Sequence, residues 1–468
     1  MSRPAALSVL ALAGLAFNGA AEARAQELRT NDFRVDLTPT PVLASGKVLG
    51  VGGAYTALAE GIASAPFNAA AYGARARWEL DRFEWEPAFS LLLGGSFREN
   101  DFFNNGLGEG FGVDDFTFFD VGLRFQLGDV GFGVLVQSQR YGLPDADPTD
   151  ELVDPDARFR TAHAGLGYGF FRGQLVVGGG VRWVTLRFDA EDASGMTQPL
   201  VDFEGAGFDV GMLLRIDGLP FRFGAGVRTP VRSTVVEDPG EEIQTVLGLP
   251  LPRSVELPWE VRTGVAWQFG PRRFNPRYVR RKDAAHGWAE RLARERCARR
   301  GAGDGRAGAA CEEPPDPELT PEDRVAGARQ ASYAGDAMAG LRALGERVRA
   351  SEPRRYVLVS TEVLLQGSLA DAVGVDAFVR QEQRRRGRKV TFGWRLGVEG
   401  EPWHDRLRVR AGTYLEPSRY DGVNPRVHGT AGFDVRLFRV WRFDLQAGFT
   451  IDGARDYLNW GFGLGVWH

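Results

Sequence analysis

From residue 83 onward the chain is written in segments of about ten to fifteen residues in which apolar and polar positions alternate. In 441–451, Trp441, Phe443, Leu445, Ala447, Phe449 and Ile451 share one face, against Arg442, Asp444, Gln446, Gly448 and Thr450. In 390–399, Val390, Phe392, Trp394, Leu396 and Val398 oppose Thr391, Gly393, Arg395, Gly397 and Glu399. In 457–468, Leu458, Trp460, Phe462, Leu464 and Val466 oppose Asn459, Gly461, Gly463 and Gly465. A period of two puts each set on one side of a strand. One side is apolar and the other carries charges and glycines. That suits a sandwich packed on a second sheet, or a membrane barrel with lipid outside and a polar lumen.

The strands expected on this pattern are 83–97, 115–127, 130–141, 158–171, 174–188, 203–216, 220–232, 256–269, 355–369, 388–399, 405–416, 426–438, 440–452 and 456–468. They number fourteen, an even count, as bacterial barrels require. The connections favour the barrel. Bacterial barrels alternate long outer loops with short periplasmic turns. Here 98–114, 142–157, 189–202 and 233–255 are long, while Gly128-Asp129, Arg172-Gly173 and Asp217-Gly218 are short. The expected fold is therefore all-β, a transmembrane outer-membrane barrel of antiparallel strands.

Composition agrees. Of 468 residues 61 are glycine, 11% are aromatic, and the net charge of -4 excludes a general nucleic-acid binder. Residues 1–25 read as a signal peptide: Arg3, an apolar run from Ala5 to Phe17, and Ala23-Arg24-Ala25 before a cleavage ahead of Gln26. The eighth connection, 271–353, breaks the alternation: parity makes it a periplasmic turn, yet it is long, Arg- and Ala-rich. Helices are expected at 283–300 and from Thr320-Pro321-Glu322-Asp323 to about Ala350, as a helical periplasmic insertion, with a charged linker as the alternative. Cys297 and Cys311 either pair there as a disulfide or remain thiols.

Residues 49–75, LGVGGAYTALAEGIASAPFNAAAYGAR, resemble the N-terminal motif of the FadL/TodX family of outer-membrane transporters for hydrophobic compounds, with PorV-like barrels as relatives. The matching residues are Gly50, Gly52, Gly53, Ala54, Tyr55, Ala57, Ala59, Glu60 and Asn68; the family's acid pair is Glu60-Gly61 here, and its Asn-Pro-Ala is Asn68-Ala69-Ala70. The resemblance implies a plug over roughly 26–79, seated inside wall strands at 80–270 and 354–468. It also implies passive movement of long-chain fatty acids or other apolar molecules.

No catalytic motif and no metal spacing is present; His163, His286, His404, His428 and His468 are scattered, so neither an enzyme nor a cofactor is expected. Lumen-facing charges (Arg182, Asp209, Arg215, Arg222, Arg228, Arg262, Arg395, Arg408, Arg410, Asp434, Arg436 and Asp444) read as an internal ion network, or as arginines that grip a substrate carboxylate. Phe102, Phe103, Leu107 and Phe111 in the first outer loop, with Val246, Leu247, Leu249 and Leu251 in the fourth, are candidates for an apolar ligand groove. Arg384-Arg385-Arg386, Arg388 and Lys389 could clamp lipopolysaccharide phosphates. The expected partners are outer-membrane lipid and lipopolysaccharide, a hydrophobic small molecule, the barrel assembly machinery, and a periplasmic protein on the insertion, with no nucleic acid. The alternative function is a non-transporting anchor or secretion accessory acting through that insertion.

Overall fold

The computed structural model describes residues 28–75, 83–93, 101–106, 117–142, 153–191, 197–237, 243–246, 249–276, 355–379, 381–440 and 443–466. Fourteen antiparallel strands close into a barrel. They are β1 Phe83–Leu93, β2 Thr117–Leu127, β3 Val130–Gly142, β4 Val153–Phe170, β5 Leu175–Glu191, β6 Thr197–Leu214, β7 Phe221–Arg228, β8 Glu260–Phe269, β9 Val357–Gln366, β10 Thr391–Trp403, β11 Leu407–Glu416, β12 Arg426–Val440, β13 Phe443–Ala454 and β14 Tyr457–Val466. Each pairs with its sequence neighbours, and β14 closes on β1. The expected alternation sets the faces. Phe392, Trp394 and Val398 point outward and are exposed, while Arg395 between them is buried in the lumen. Phe433, Phe462 and Leu464 extend the same apolar exterior. A closed barrel leaves no strand edge unpaired, which is what a strand in lipid demands. The fold is that of an outer-membrane β-barrel.

Two strands are shorter than the alternation suggests. The expected 220–232 and 256–269 each divide at a proline. Pro230 separates β7 from the short strand Val231–Thr234, and Pro258 separates β8 from Ser254–Leu257. Proline has no N–H to give a ladder, so each is a natural break. The freed pieces join Arg34–Asp36, Ala372–Gly374 and Arg385–Arg386 in a five-stranded sheet across the loop end of the barrel. Arg34–Asp36 lies at its centre, parallel to Ser254–Glu256 on one side and to Ala372–Gly374 on the other. This cap sheet covers an apolar cluster that includes Phe33, Val35, Phe102, Phe103, Phe188 and Phe378.

The chain from Val42 to Arg75 runs inside the barrel. Its methyls and carbonyls abut strands around the whole circumference, which only an interior segment can do. A methyl added at Gly178 or Gly211 would collide with Asn68–Ala70, one at Gly224 with Thr56, and one at Gly397 or Gly412 with Val51 and Gly52. The wall glycines are thus the seat that lets backbone meet backbone. Residues 57–71 are Ala-rich, a composition that favours helix. The structure has only short turns there: a helical turn at Gly46–Leu49 and 3-10 turns at Ile62–Ser64 and Ala69–Tyr72. The signal peptide, Cys297 and Cys311, the expected helices of the insertion, Leu107, Phe111 and Leu247 lie outside the described residues, as do the side chains of Val246 and Leu249.

Candidate functional site

The lumenal segment is fixed by a few side chains that satisfy its irregular backbone. Glu362, on the lumen face of β9 and wholly buried, accepts from Tyr55 N (3.1 Å), Thr56 N (3.0 Å) and Thr56 Oγ1 (2.7 Å) through one oxygen. Its other oxygen takes Arg395 Nη1 at 3.1 Å, and Arg262 Nη1 stands 3.7 Å away. Asn68 uses its whole amide. Its oxygen accepts from Ala70 N, capping the 3-10 turn, and its nitrogen donates to Thr56 O and Met212 O at 2.8 Å each. Gly52 and Gly53 have φ of +63° and +75°, a left-handed pair that turns the chain against β10 and β11. Gly50 ends the helical turn, Ala54 and Tyr55 are buried, and Glu60 pairs with Arg222 at 2.6 Å. Of the nine matched motif residues, Gly52, Gly53, Tyr55, Glu60 and Asn68 meet the wall directly.

Beside it lies a cavity of about 110 Å³, lined by Val42, Leu43, Phe67, Phe159, Leu257 and Leu364 together with Arg182, Arg228, Arg262 and Arg395. The four arginines share three carboxylates. Asp209 is 3.9 Å from Arg182 and 3.8 Å from Arg228; Glu260 is 3.4 Å from Arg228 and 2.9 Å from Arg262; Glu362 takes Arg262 and Arg395. Glu416 lines the cavity as well, held by Arg426 and His428. Arg182 Nε and Arg262 Nη1 are buried and lack a hydrogen-bond acceptor. A buried donor without an acceptor is costly, and an anionic ligand atom would relieve it. Among the described residues no group of three His, Cys, Asp or Glu side chains could hold a metal ion.

The expected loop groove is placed differently. Phe102 and Phe103 are buried under the cap sheet, with rings 5.3 Å apart, and line a small cavity with Leu37, Phe159, Leu186 and Arg386. Leu251 packs on the same cluster. These residues bear on the loop-end core rather than on an open groove. The basic loop is largely spoken for: Arg384 donates to Asn105 O, Arg385 pairs with Asp371, Arg388 pairs with Asp421 and Arg386 is buried beside Asp36. Asp36 accepts from Arg419 Nε at 2.7 Å and from Thr38. Burial alone would raise its carboxyl, but Arg419 and then Arg386 hold it below the ordinary value.

The wall has a sparse junction. Among the described residues β14 and β1 share three register pairs, Phe89 with Leu464, Ser90 with Gly463 and Leu91 with Phe462, whereas β1 and β2 share eleven. A cavity of about 50 Å³ sits at this seam, lined by Lys47, Ala63 and Glu86 from within and by Phe89 and Leu464 of the lipid face.

No protein-family model matches the chain, and no curated protein matches it. Similar solved structures include a FadL homologue from Pseudomonas aeruginosa, at 9% identity and TM-score 0.47, with 92% of this chain aligned to 97% of that one. The CymD monoaromatic hydrocarbon channel aligns at 9% identity and TM-score 0.46, covering 92% and 97%. The toluene transporter TodX of Pseudomonas putida aligns at 12% and 0.46, covering 91% and 99%. The likeness is one of fold. The functional reading rests on this chain's own geometry.

Sequence reasoning missed Glu362 and Asp36. For Glu362 a signal existed: it is the single charge in the strand Val357–Gln366, and it falls on the lumen face. Asp36 had none, because Arg34–Asp36 carries no alternation long enough to read.

Proposed function

We propose that the protein is a passive outer-membrane channel for small hydrophobic molecules, and that its substrate is an amphiphile with an apolar body and an anionic head, long-chain fatty acids being the reference case. The observation that carries this is the cavity beside the lumenal segment. Its apolar lining suits a chain, and its four arginines with two unsatisfied donors suit a carboxylate. The lumenal segment occupies the bore, which argues against a water-filled pore. A ligand would enter at the loop end, pause with its head on Arg182 and Arg262, and leave through the turn end or sideways at the β14–β1 seam. The seam cavity touches both the lumenal segment and lipid-facing side chains, which favours the lateral exit.

The test is uptake of a labelled long-chain fatty acid, and of its methyl ester, by cells with and without the protein. Uptake of the acid should depend on the protein and fall about tenfold in Arg182→Met, while the ester is little affected by that change. Protein-independent uptake of the acid would overturn the channel. Equal effects of Arg182→Met on acid and ester would overturn the anionic head.

A further inference from the structure

The long eighth connection begins at residue 271, yet its first residues do not leave the barrel. Phe274 and Asn275 are buried in the turn-end mouth. Asn275 Nδ2 donates to Leu219 O (2.8 Å) and Phe221 O (2.7 Å), and its carbonyl accepts from Gly218 N (2.8 Å). The root of the connection is thus stitched to the neighbouring turn between β6 and β7. It is joined to the lumenal segment by one side chain. Arg222 Nε donates to Asn275 Oδ1 (2.9 Å), Nη2 to Phe274 O (3.0 Å) and Nη1 to Glu60 Oε1 (2.6 Å), with the guanidinium stacked 3.9 Å over the Phe274 ring.

The segment's other anchors differ in kind. At the loop end, Arg34–Asp36 is hydrogen-bonded along both edges. In the middle, Glu362 gathers three donors out of water. At the turn end, the Glu60 side chain is 58% exposed and is held by the Arg222 guanidinium, which also reaches Leu58 O at 3.4 Å; the next wall anchor along the segment is Arg228, which donates to Pro66 O. A pair with one partner exposed holds little by itself, so the buried Arg222 is effective there because Phe274 and Asn275 orient it.

We propose that Arg222 is the release joint of the lumenal segment, with the root at Phe274–Asn275 as its handle: displacement of the root removes two of the acceptors and the ring that hold Arg222, and frees Glu60–Ala65 to shift, up to the Pro66 carbonyl that Arg228 holds. That stretch includes Ala63, which lines the seam cavity. A displacement of Phe274–Asn275 is in this way delivered to the wall seam. The inference rests on the lumen being the path only for its consequence in transport; the joint itself is testable without substrate.

The test is thiol labelling of Ala63→Cys in the full chain, with Cys297→Ser and Cys311→Ser so that one thiol remains, using a membrane-impermeant maleimide and the purified folded protein. Adding Arg222→Met should raise the labelling rate about tenfold, and adding Asn275→Ala, which leaves both charges in place, should raise it at least about threefold. A heat-shift gel checks that the barrel stays closed. Should Arg222→Met fail to fold, Asn275→Ala carries the test alone. A rise under about threefold for Asn275→Ala in a closed barrel overturns the joint. Absent fatty-acid uptake with raised labelling overturns the channel and leaves the joint standing.

Discussion

The barrel wall and the segment inside it face the same demand and meet it by opposite means. Every backbone polar group away from water needs a partner. The wall supplies partners by repetition, each strand bonding the next around a closed circuit. The segment has no ladder over Val42–Arg75. It makes short turns and borrows acceptors from side chains, Glu362 for Tyr55 and Thr56, and Asn68 for Ala70. Its close fit is written in the wall rather than in itself, at glycines that admit its backbone. A regular element thus tolerates substitution along most of its length, whereas an irregular one depends on a few positions.

The largest expected effect tests that dependence. Glu362→Ala leaves Arg395 and Arg262 without their shared carboxylate and the Thr56 backbone N–H without an acceptor, while Tyr55 N keeps only Gly53 O. Removing one partner of a buried pair costs about 3–5 kcal/mol. Urea unfolding in detergent should show it; a wild-type midpoint would mean that the segment is not seated by this carboxylate.

Next, Gly178→Val should cost about 1–3 kcal/mol through overpacking, because the obstacle is the Ala69 backbone and not a movable side chain. A lipid-facing exchange on the adjacent residue, Val177→Leu, serves as the comparison. If both variants unfold at the same urea concentration, the glycine seat has no special role.

A third effect appears with pH at the cap sheet. The Asp36 carboxyl is held below its ordinary value of 3.8, so its contribution is complete above that value and is lost as pH falls through the lower, folded one. The wild type should therefore lose thermal stability on acidification below about pH 4 by a step that Asp36→Asn lacks. Superimposable acid profiles for the two proteins would remove Asp36 from the account.

The smallest effect is at the exposed basic loop. Arg388→Ala breaks a pair with Asp421 in which both side chains are about half exposed, and such pairs contribute little. Its melting point should not move measurably, and a clear drop would show that the loop-end surface is more tightly knit than its exposure implies.

The same contrast explains what could be read in the sequence. All fourteen wall strands were legible because a period of two, sustained over ten residues, survives boundary errors. Gly165 and Gly167 fall on the lumen face of their strand, and the structure sets Tyr72 and Gly73 against them. The cap sheet was not legible. Its strands run two to four residues, and Val231–Thr234 and Ser254–Leu257 sit at the ends of stretches whose alternation continues the wall's. Phe102 and Phe103 read as an apolar loop surface, since sequence cannot say that a strand from the far N-terminal region will roof them over. The lumen arginines were visible as a list of charges, but which of them lacks an acceptor depends on distances across the lumen.

The position of the segment has a consequence for how such a molecule is put together. Leu28 bonds to Gln381 at the loop end, while Tyr72 and Gly73 meet the wall near the turn end and the chain then enters β1. The polypeptide therefore runs the length of the bore before it starts the cylinder that encloses it. The first strand also pairs with the last, β14. Either the cylinder is wrapped around a thread already in place, or a free end is drawn up a finished tube past Gly178, Gly211 and Gly224, which leave no clearance for it. The first order of events is the one the fit permits, so closure of the hoop and capture of the thread are a single late step.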